Sequence, residues 1–221
     1  MFTFPPKVNG ELTKAQFIKK CSSYTRLEAF LTYISLQVGM ATHLIPLVLG
    51  VVLGTLLAII GAETYRRSSS PLISGFGVAG MAIGSGLALS YLPIQGALVI
   101  MSLCFTLITL AHITKAYHAT FGGTQYMIMG TLTYAVMLLG VALTFHIRLN
   151  LFNEIVGLFV GAVYIIITSF YWQIKLARGF YTEDCAVDSS GGSLAIIVKL
   201  IFYYTKKLLV GGEPINPLDK E

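Results

Sequence analysis

Seven long apolar stretches occupy most of this 221-residue chain, and almost none of them contains a carboxylate. Only 11% of the residues are charged, compared with roughly 25% in an average soluble domain. A bilayer core about 30 Å thick needs roughly 20 apolar residues for each helical span. Because the stretches are continuous rather than alternating with a period of two, helices are favoured over a β-barrel. We therefore expect an all-α integral membrane protein.

Prolines and polar clusters divide the chain into spans. Pro46 is expected to separate the first two, because proline suits a helix start and disfavours helix at the preceding residue. The polar residues 63–70 and the turn at Pro93 mark later breaks. The predicted spans are 25–43, 46–62, 71–91, 94–114, 124–145 and 154–174, followed by a loop at 175–192 and a short apolar segment at 193–205.

These spans predict three regions: a cytosolic N-terminal segment (1–25), a seven-helix membrane domain (26–211) and a C-terminal tail (212–221). No apolar stretch precedes the first span, which is therefore expected to act as an uncleaved signal. Residues 14–20 fit either a short helix on the membrane surface or a solvated lead-in. Ten of the 15 lysines and arginines fall on one side if the N-terminus is cytosolic. The same rule also favours a cytosolic C-terminus, so the side of the C-terminus and the crossing of the last helix stay open.

Small residues predict close helix packing. The pairs Gly50/Gly54, Gly80/Gly84 and Gly157/Gly161 have the spacing that lets two helix backbones approach. The third span is small on most faces, which predicts a position at the crowded centre of the bundle. Cys104 lies in an apolar run and is expected to pack as a small hydrophobic residue.

The chain shows no pattern of catalytic or metal-ligating residues, and we expect neither an enzyme nor a cofactor. The pI of about 9.1 is not taken to indicate nucleic-acid binding, because no basic groove accompanies it. Acids near span ends, Glu28, Glu63 and Glu154, are expected to be solvated at the interface. Lys199 differs because it lies inside an apolar run, where an ionisable group faces a cavity or a partner, or else extends toward the interface.

Several motifs occur in a characteristic order along the chain. The first span ends in Gly39-Met40-Ala41-Thr42-His43, and Arg66-Arg67 precedes the small-residue helix. The sixth span opens with Asn153-Glu154-Ile155-Val156-Gly157 and contains Ser169-Phe170-Tyr171-Trp172-Gln173-Ile174; residues 201–208 close the pattern. With these motifs the chain resembles the Bax inhibitor-1 family, the transmembrane BAX-inhibitor-motif proteins, over about residues 15–210.

The resemblance implies six helices around a short central C-terminal helix, in the endoplasmic reticulum membrane. It also implies suppression of cell death, membrane-bound cell-death regulators as partners, and a pH-sensitive calcium leak. In the family this leak is attributed to two aspartates that share a proton, one in the sixth helix and one in the last, near a basic residue.

This sequence departs from that pattern at both acids. Tyr171 stands at the sixth-helix position, although Gln173 matches the family. Ile196 and Leu200 stand where the last-helix acid is expected, with Lys199 beside them. A divalent cation crossing a low-dielectric core needs negative charge or many oxygens. We therefore expect the pH-gated leak to be absent or reduced.

The basic partner is best matched by Arg67 or the neighbouring Arg66, with Glu63 as a local counter-ion. Together with Lys199, Tyr171 and Gln173, these three residues are the candidates for an ion path. Two alternatives stay open. One is a calcium leak that uses other acids, such as Glu63 or Glu154; the other is a small-solute transporter in which Lys199 binds an anionic substrate.

Overall fold

The computed structural model describes residues 12–42, 47–68, 70–91, 94–117, 123–148, 150–179, 181–188, 190–192 and 194–195. Within these ranges the chain is helical and contains no strand, which confirms the all-α prediction. The long helices are α1 (Lys14–Thr42), α2 (Leu47–Arg67), α3 (Pro71–Leu89), α4 (Ile94–Tyr117), α5 (Gly123–Thr144) and α6 (Leu151–Arg178). Helical residues 183–188, 190–192 and 194–195 follow, and they are called here the post-α6 segment.

Five helices in the described ranges are long and apolar enough to cross a membrane: α2 to α6, over Leu49–Arg67, Pro71–Leu89, Gly96–Ala116, Thr124–Thr144 and Glu154–Arg178. This supports an integral multi-pass membrane protein. The most enclosed of the five is α4, of which 56% is buried, whereas α3 is 33% buried. Helix α3 is the second most enclosed of the five and packs against α1 and α2; its position at the crowded centre stays a prediction.

Helix α1 is longer than the span predicted at its place. Its 29 residues measure about 43 Å at 1.5 Å per residue, which exceeds a bilayer core of about 30 Å. It continues without a break across residue 25, the predicted boundary of the N-terminal segment. The half after that point exposes an apolar stripe that fits lipid contact, formed by Leu27, Phe30, Ile34 and Val38. Within residues 14–20 only Phe17 and Ile18 are buried, and most of the others are exposed. Both readings of residues 14–20 stay predictions.

Glycines bring α2 and α3 into backbone contact. A Cβ atom added at Gly84 would lie 2.4 Å from the backbone nitrogen of Ala58, and one added at Gly54 would lie 2.5 Å from that of Ala88. Gly61 and Gly77 meet the opposite backbone in the same way. The predicted pair Gly80/Gly84 thus lies on this contact together with Gly54, whereas Gly50 faces the ring of Tyr91, just beyond the end of α3.

The third glycine pair joins α6 to α5 through one tyrosine. The buried hydroxyl of Tyr134 donates a 3.0 Å hydrogen bond to the carbonyl oxygen of Gly157. A Cβ atom at Gly161 would lie 2.5 Å from the ring of Tyr134. Cys104 on α4 is 4% exposed and packs against Ala29, as predicted for a small hydrophobic residue.

Two predicted loops are helical in the structure. Residues 63–67 continue α2, because Glu63 forms i,i+3 and i,i+4 ion pairs with Arg66 and Arg67 that suit a helix end. The predicted loop at 175–192 is mostly helix: α6 runs to Arg178 and a new helix begins at residue 183. Gly179 makes the turn between them with a φ of 72°, a left-handed conformation that glycine adopts without strain.

The post-α6 segment is buried in the bundle. The side-chain hydroxyl of Thr182 accepts a 3.2 Å hydrogen bond from the backbone nitrogen of Cys185, so that Thr182 caps the new helix. Val187 and Leu194 pack among buried residues of α2 and α3, including Ala58, Val78 and Met81. Residues 196–205, which complete the predicted last helix, lie outside the described residues.

Candidate ion-binding site

Tyr65 and Asp188 are hydrogen bonded at the place where α2 meets the post-α6 segment. The Tyr65 hydroxyl donates to Oδ1 of Asp188, and the Tyr65 side chain is only 9% exposed. Glycine allows this approach: a Cβ atom at Gly191 would lie 3.5 Å from the Tyr65 ring and 2.5 Å from Val78. The bond therefore fixes a carboxylate of the post-α6 segment against the second helix.

A second phenol, that of Tyr171, lies in the same region as this carboxylate. It lies within electrostatic range of both Asp188 and Tyr65. Its ring covers Gly192, where a Cβ atom would lie 2.3 Å from a ring carbon. Tyr171 thus lies within electrostatic range of a carboxylate that the sequence assigned to a loop.

Glu28 brings a further carboxyl close to this group. It is 6% exposed, and its Oε2 atom has no hydrogen-bond partner among the described residues. It lies within electrostatic range of Tyr65 on α2 and of Cys104 on α4. The expectation that Glu28 is solvated at the interface is wrong, because α1 turns this side chain into the bundle rather than toward solvent.

An unpaired buried charge costs several kcal/mol, so the Glu28 carboxyl needs a proton, a cation or a polar group from outside the described residues. Carboxylate and hydroxyl oxygens are the ligands that hard cations prefer. Ionisable residues within membrane helices also tend to mark ion and proton paths. We call Glu28, Tyr65, Tyr171 and Asp188 the acid–tyrosine cluster; its chemistry suits a proton or a hard cation.

The cluster lies toward one end of the bundle. Tyr65 is two residues from the end of α2, and Tyr171 is seven residues from the end of α6, a distance of about 10 Å along the helix.

The other predicted candidates are not brought into the cluster. Glu63 pairs with Arg66 at 2.8 Å and with Arg67 at 3.0 Å, which confirms its prediction as a local counter-ion. This pairing is on the outside of α2, where the Arg67 side chain is 77% exposed. Glu154 lies in the first turn of α6, at the far end of that helix from Tyr171.

Of the remaining two candidates, Gln173 and Lys199, the structure describes only Gln173. The Nε2 atom of Gln173 is buried and has no hydrogen-bond partner within the described ranges. Lys199 lies outside the described residues, together with Ile196 and Leu200. The roles of all six predicted candidates in an ion path stay predictions.

Sequence reasoning missed three members of the cluster: Glu28, Tyr65 and Asp188. The signal for Asp188 was present, because Thr182 followed by Glu183 and Asp184 is a helix start with acids in the first turn. The serines and glycines that follow Asp188 suggested a loop instead, so this helix start was not predicted. For Glu28 and Tyr65 the sequence holds no such signal, since both stand near charged residues at span ends.

The described ranges contain no group of three or more histidine, cysteine or acidic side chains that could hold a metal ion. No family model matches this chain, and neither a characterised protein nor a solved structure matches it.

Proposed function

We propose that this multi-pass membrane protein acts as the Bax inhibitor-1 proteins do, modulating cell death and calcium release in the endoplasmic reticulum membrane. Calcium passes weakly through the acid–tyrosine cluster. The observation that carries this proposal is the Asp188 carboxylate, which is hydrogen bonded to Tyr65 and within electrostatic range of Tyr171.

The expectation of a lost leak was based on neutral residues where the family has acids. Asp188 changes that argument, because it supplies a carboxylate within electrostatic range of Tyr171. The cluster holds two acids, Glu28 and Asp188, but Asp188 already accepts a hydrogen bond from Tyr65, so we expect it to attract a divalent cation less strongly than two free carboxylates would. A leak that is reduced rather than absent is therefore the form we propose.

The same proposal places the last helix at the centre of the bundle. Its support is the start of that helix: Val187 and Leu194 are buried among residues of α2 and α3. Ala186 is fully buried against Phe17 of α1 and Trp172 of α6. The post-α6 segment is thus covered on several sides.

Reconstitution into calcium-loaded liposomes tests the proposal. Purified protein should release calcium at a slow, measurable rate. D188N should lower the efflux, because it removes the carboxylate that attracts the cation. Tyr171→Phe, which removes one oxygen, should have a smaller effect in the same direction.

The matched controls are E63Q and E154Q, which neutralise acids outside the cluster. Both should leave the efflux unchanged. Efflux that survives D188N and disappears in E63Q or E154Q would instead support a leak through those acids. No efflux from the unaltered protein at any pH would rule out conduction and leave only a scaffold role.

A further inference from the structure

The N-terminal half of α1 and the residues just before it pack against the start of the post-α6 segment. The backbone nitrogen of Leu12 donates a 2.7 Å hydrogen bond to the carbonyl oxygen of Tyr181. The rings of Phe17 and Tyr181 are 5.3 Å apart. Phe17 also forms a buried cluster with Cys21, Trp172 and Ala186, and this cluster joins α1, α6 and the post-α6 segment.

The interface between α1 and the post-α6 segment also contains a polar contact, which is partly exposed to solvent. The Lys20 ammonium and the Tyr24 hydroxyl both donate to Oε1 of Glu183, the latter at 3.2 Å. The Lys20 and Glu183 side chains are 41% and 37% exposed, so the ion pair by itself adds only about 0–1 kcal/mol to stability. Its importance is geometric: two side chains of one helix converge on a single carboxylate oxygen.

Glu183 and Asp188 belong to the same short helix. Thr182 caps it, through its hydroxyl and through its carbonyl oxygen, which accepts a 3.1 Å bond from the nitrogen of Ala186. The two acids are five positions apart, or about 7.5 Å along the helix axis. A helix of this length moves as a unit, so a displacement at Glu183 also displaces Asp188 from Tyr65.

We propose that Lys20 and Tyr24 are positioning residues that hold Asp188 in the acid–tyrosine cluster through Glu183. The proposal rests on the proposed function only in assigning a role to Asp188. The contact itself gives the N-terminal helix control over the site, because anything that draws residues 14–24 away from Glu183 also moves the carboxylate that attracts the cation.

Trp172 provides an intrinsic reporter of this contact. It is the single tryptophan of the chain, it is 7% exposed, and it packs against Phe17, Cys21 and Ala186. Separation of α1 from the post-α6 segment would admit water to the indole and shift its fluorescence emission to longer wavelength.

A charge-reversal cycle in liposomes tests the proposal. K20E and E183K, which each place like charges together, should shift the Trp172 emission and reduce the calcium efflux. The double variant K20E/E183K restores the opposite charges and should restore both readouts. K19E is the matched control: it makes the same charge change one residue away, on an exposed lysine, and should change neither readout.

Three results would overturn the positioning role. The first is a K20E emission spectrum equal to that of K19E. The second is failure of the double variant to recover the emission. The third is recovery of the emission without recovery of the calcium efflux, which would show that the contact has only a structural role. Failure of the proposed function is distinguishable, because D188N would then leave the efflux unchanged while the fluorescence cycle still reports on the contact.

Discussion

The hydroxyl of Tyr65, in the last turn of α2, donates a hydrogen bond to the carboxylate of Asp188, which lies 123 residues later in the post-α6 segment. This bond joins two parts of the chain that are distant in sequence, at a place where Tyr65 is buried and Asp188 is partly buried. It holds a carboxylate within electrostatic range of Tyr171, where the motif comparison alone showed no acid.

Tyr65→Phe is expected to destabilise the protein by about 1 kcal/mol, since it removes one hydrogen bond to a partly buried carboxylate. Thermal unfolding in detergent measures this loss. Tyr33→Phe is the control, because the described residues show a ring contact with Phe105 but no hydrogen bond for the Tyr33 hydroxyl. Equal unfolding midpoints for the two variants would contradict the importance of the Tyr65 bond.

Gly84→Ala should disrupt the contact between α2 and α3. The added methyl group would lie 2.4 Å from a backbone nitrogen, which cannot move aside as a flexible side chain can. We expect a loss of about 1–3 kcal/mol, typical of overpacking. Gly75→Ala on the same helix is the control: no atom of the described residues lies within 4 Å of the added Cβ. It should be neutral or slightly stabilising, because alanine favours helix.

Glu28→Gln is expected to raise the stability of the protein and to lower its calcium efflux. The amide has nearly the shape of the carboxyl but avoids the cost of burying a charge, so the unfolding midpoint is expected to rise. Calcium efflux should fall, because the cluster loses an acid. E63Q is the comparison, and it should lower stability by at most about 1 kcal/mol by removing exposed ion pairs. A lower midpoint in Glu28→Gln would indicate that the carboxyl is paired in the folded protein.

Acid should loosen the contact between α1 and the post-α6 segment. The hydrogen bond from Lys20 and the positive charge of that residue hold the pKa of Glu183 below its ordinary value of 4.5, against partial desolvation. A group with a lowered pKa contributes stability above its ordinary pKa, and this contribution disappears as the pH falls through the lowered value. The Trp172 emission should therefore shift from about pH 5 downward. In E183Q the Trp172 emission should not shift with pH in this range. An emission titration equal to that of the unaltered protein would contradict the role of Glu183.

Gly179→Ala tests the turn that starts the post-α6 segment. The φ of 72° at this glycine costs an L-residue about 1–2 kcal/mol. Thermal unfolding should show a loss of that size, and the Trp172 emission should change if the segment moves. Gly140→Ala in α5 is the control, since its backbone is helical and the described residues leave its Cβ position open.

The helices themselves could be predicted from the sequence. Continuous apolar stretches require helices because backbone groups in lipid must bond within their own segment, and prolines such as Pro71 define where helices begin. The same local reasoning placed the glycine contacts, since Gly54, Gly84 and Gly157 each need only a neighbouring helix. It failed at Glu63 and Asp188, where polar residues were assigned to loops although ion pairs and a threonine cap extend helices through them.

The amino-acid sequence by itself determined that this protein is a helical membrane bundle, because hydrophobicity and hydrogen-bond satisfaction act locally along the chain. Only the tertiary structure decided which acids face inward. Glu28 is no more apolar in context than Glu63, yet it is buried, and Asp188 is joined to Tyr65 although 123 positions separate them. Both facts depend on how the helices pack, and local patterns carry no information about that packing.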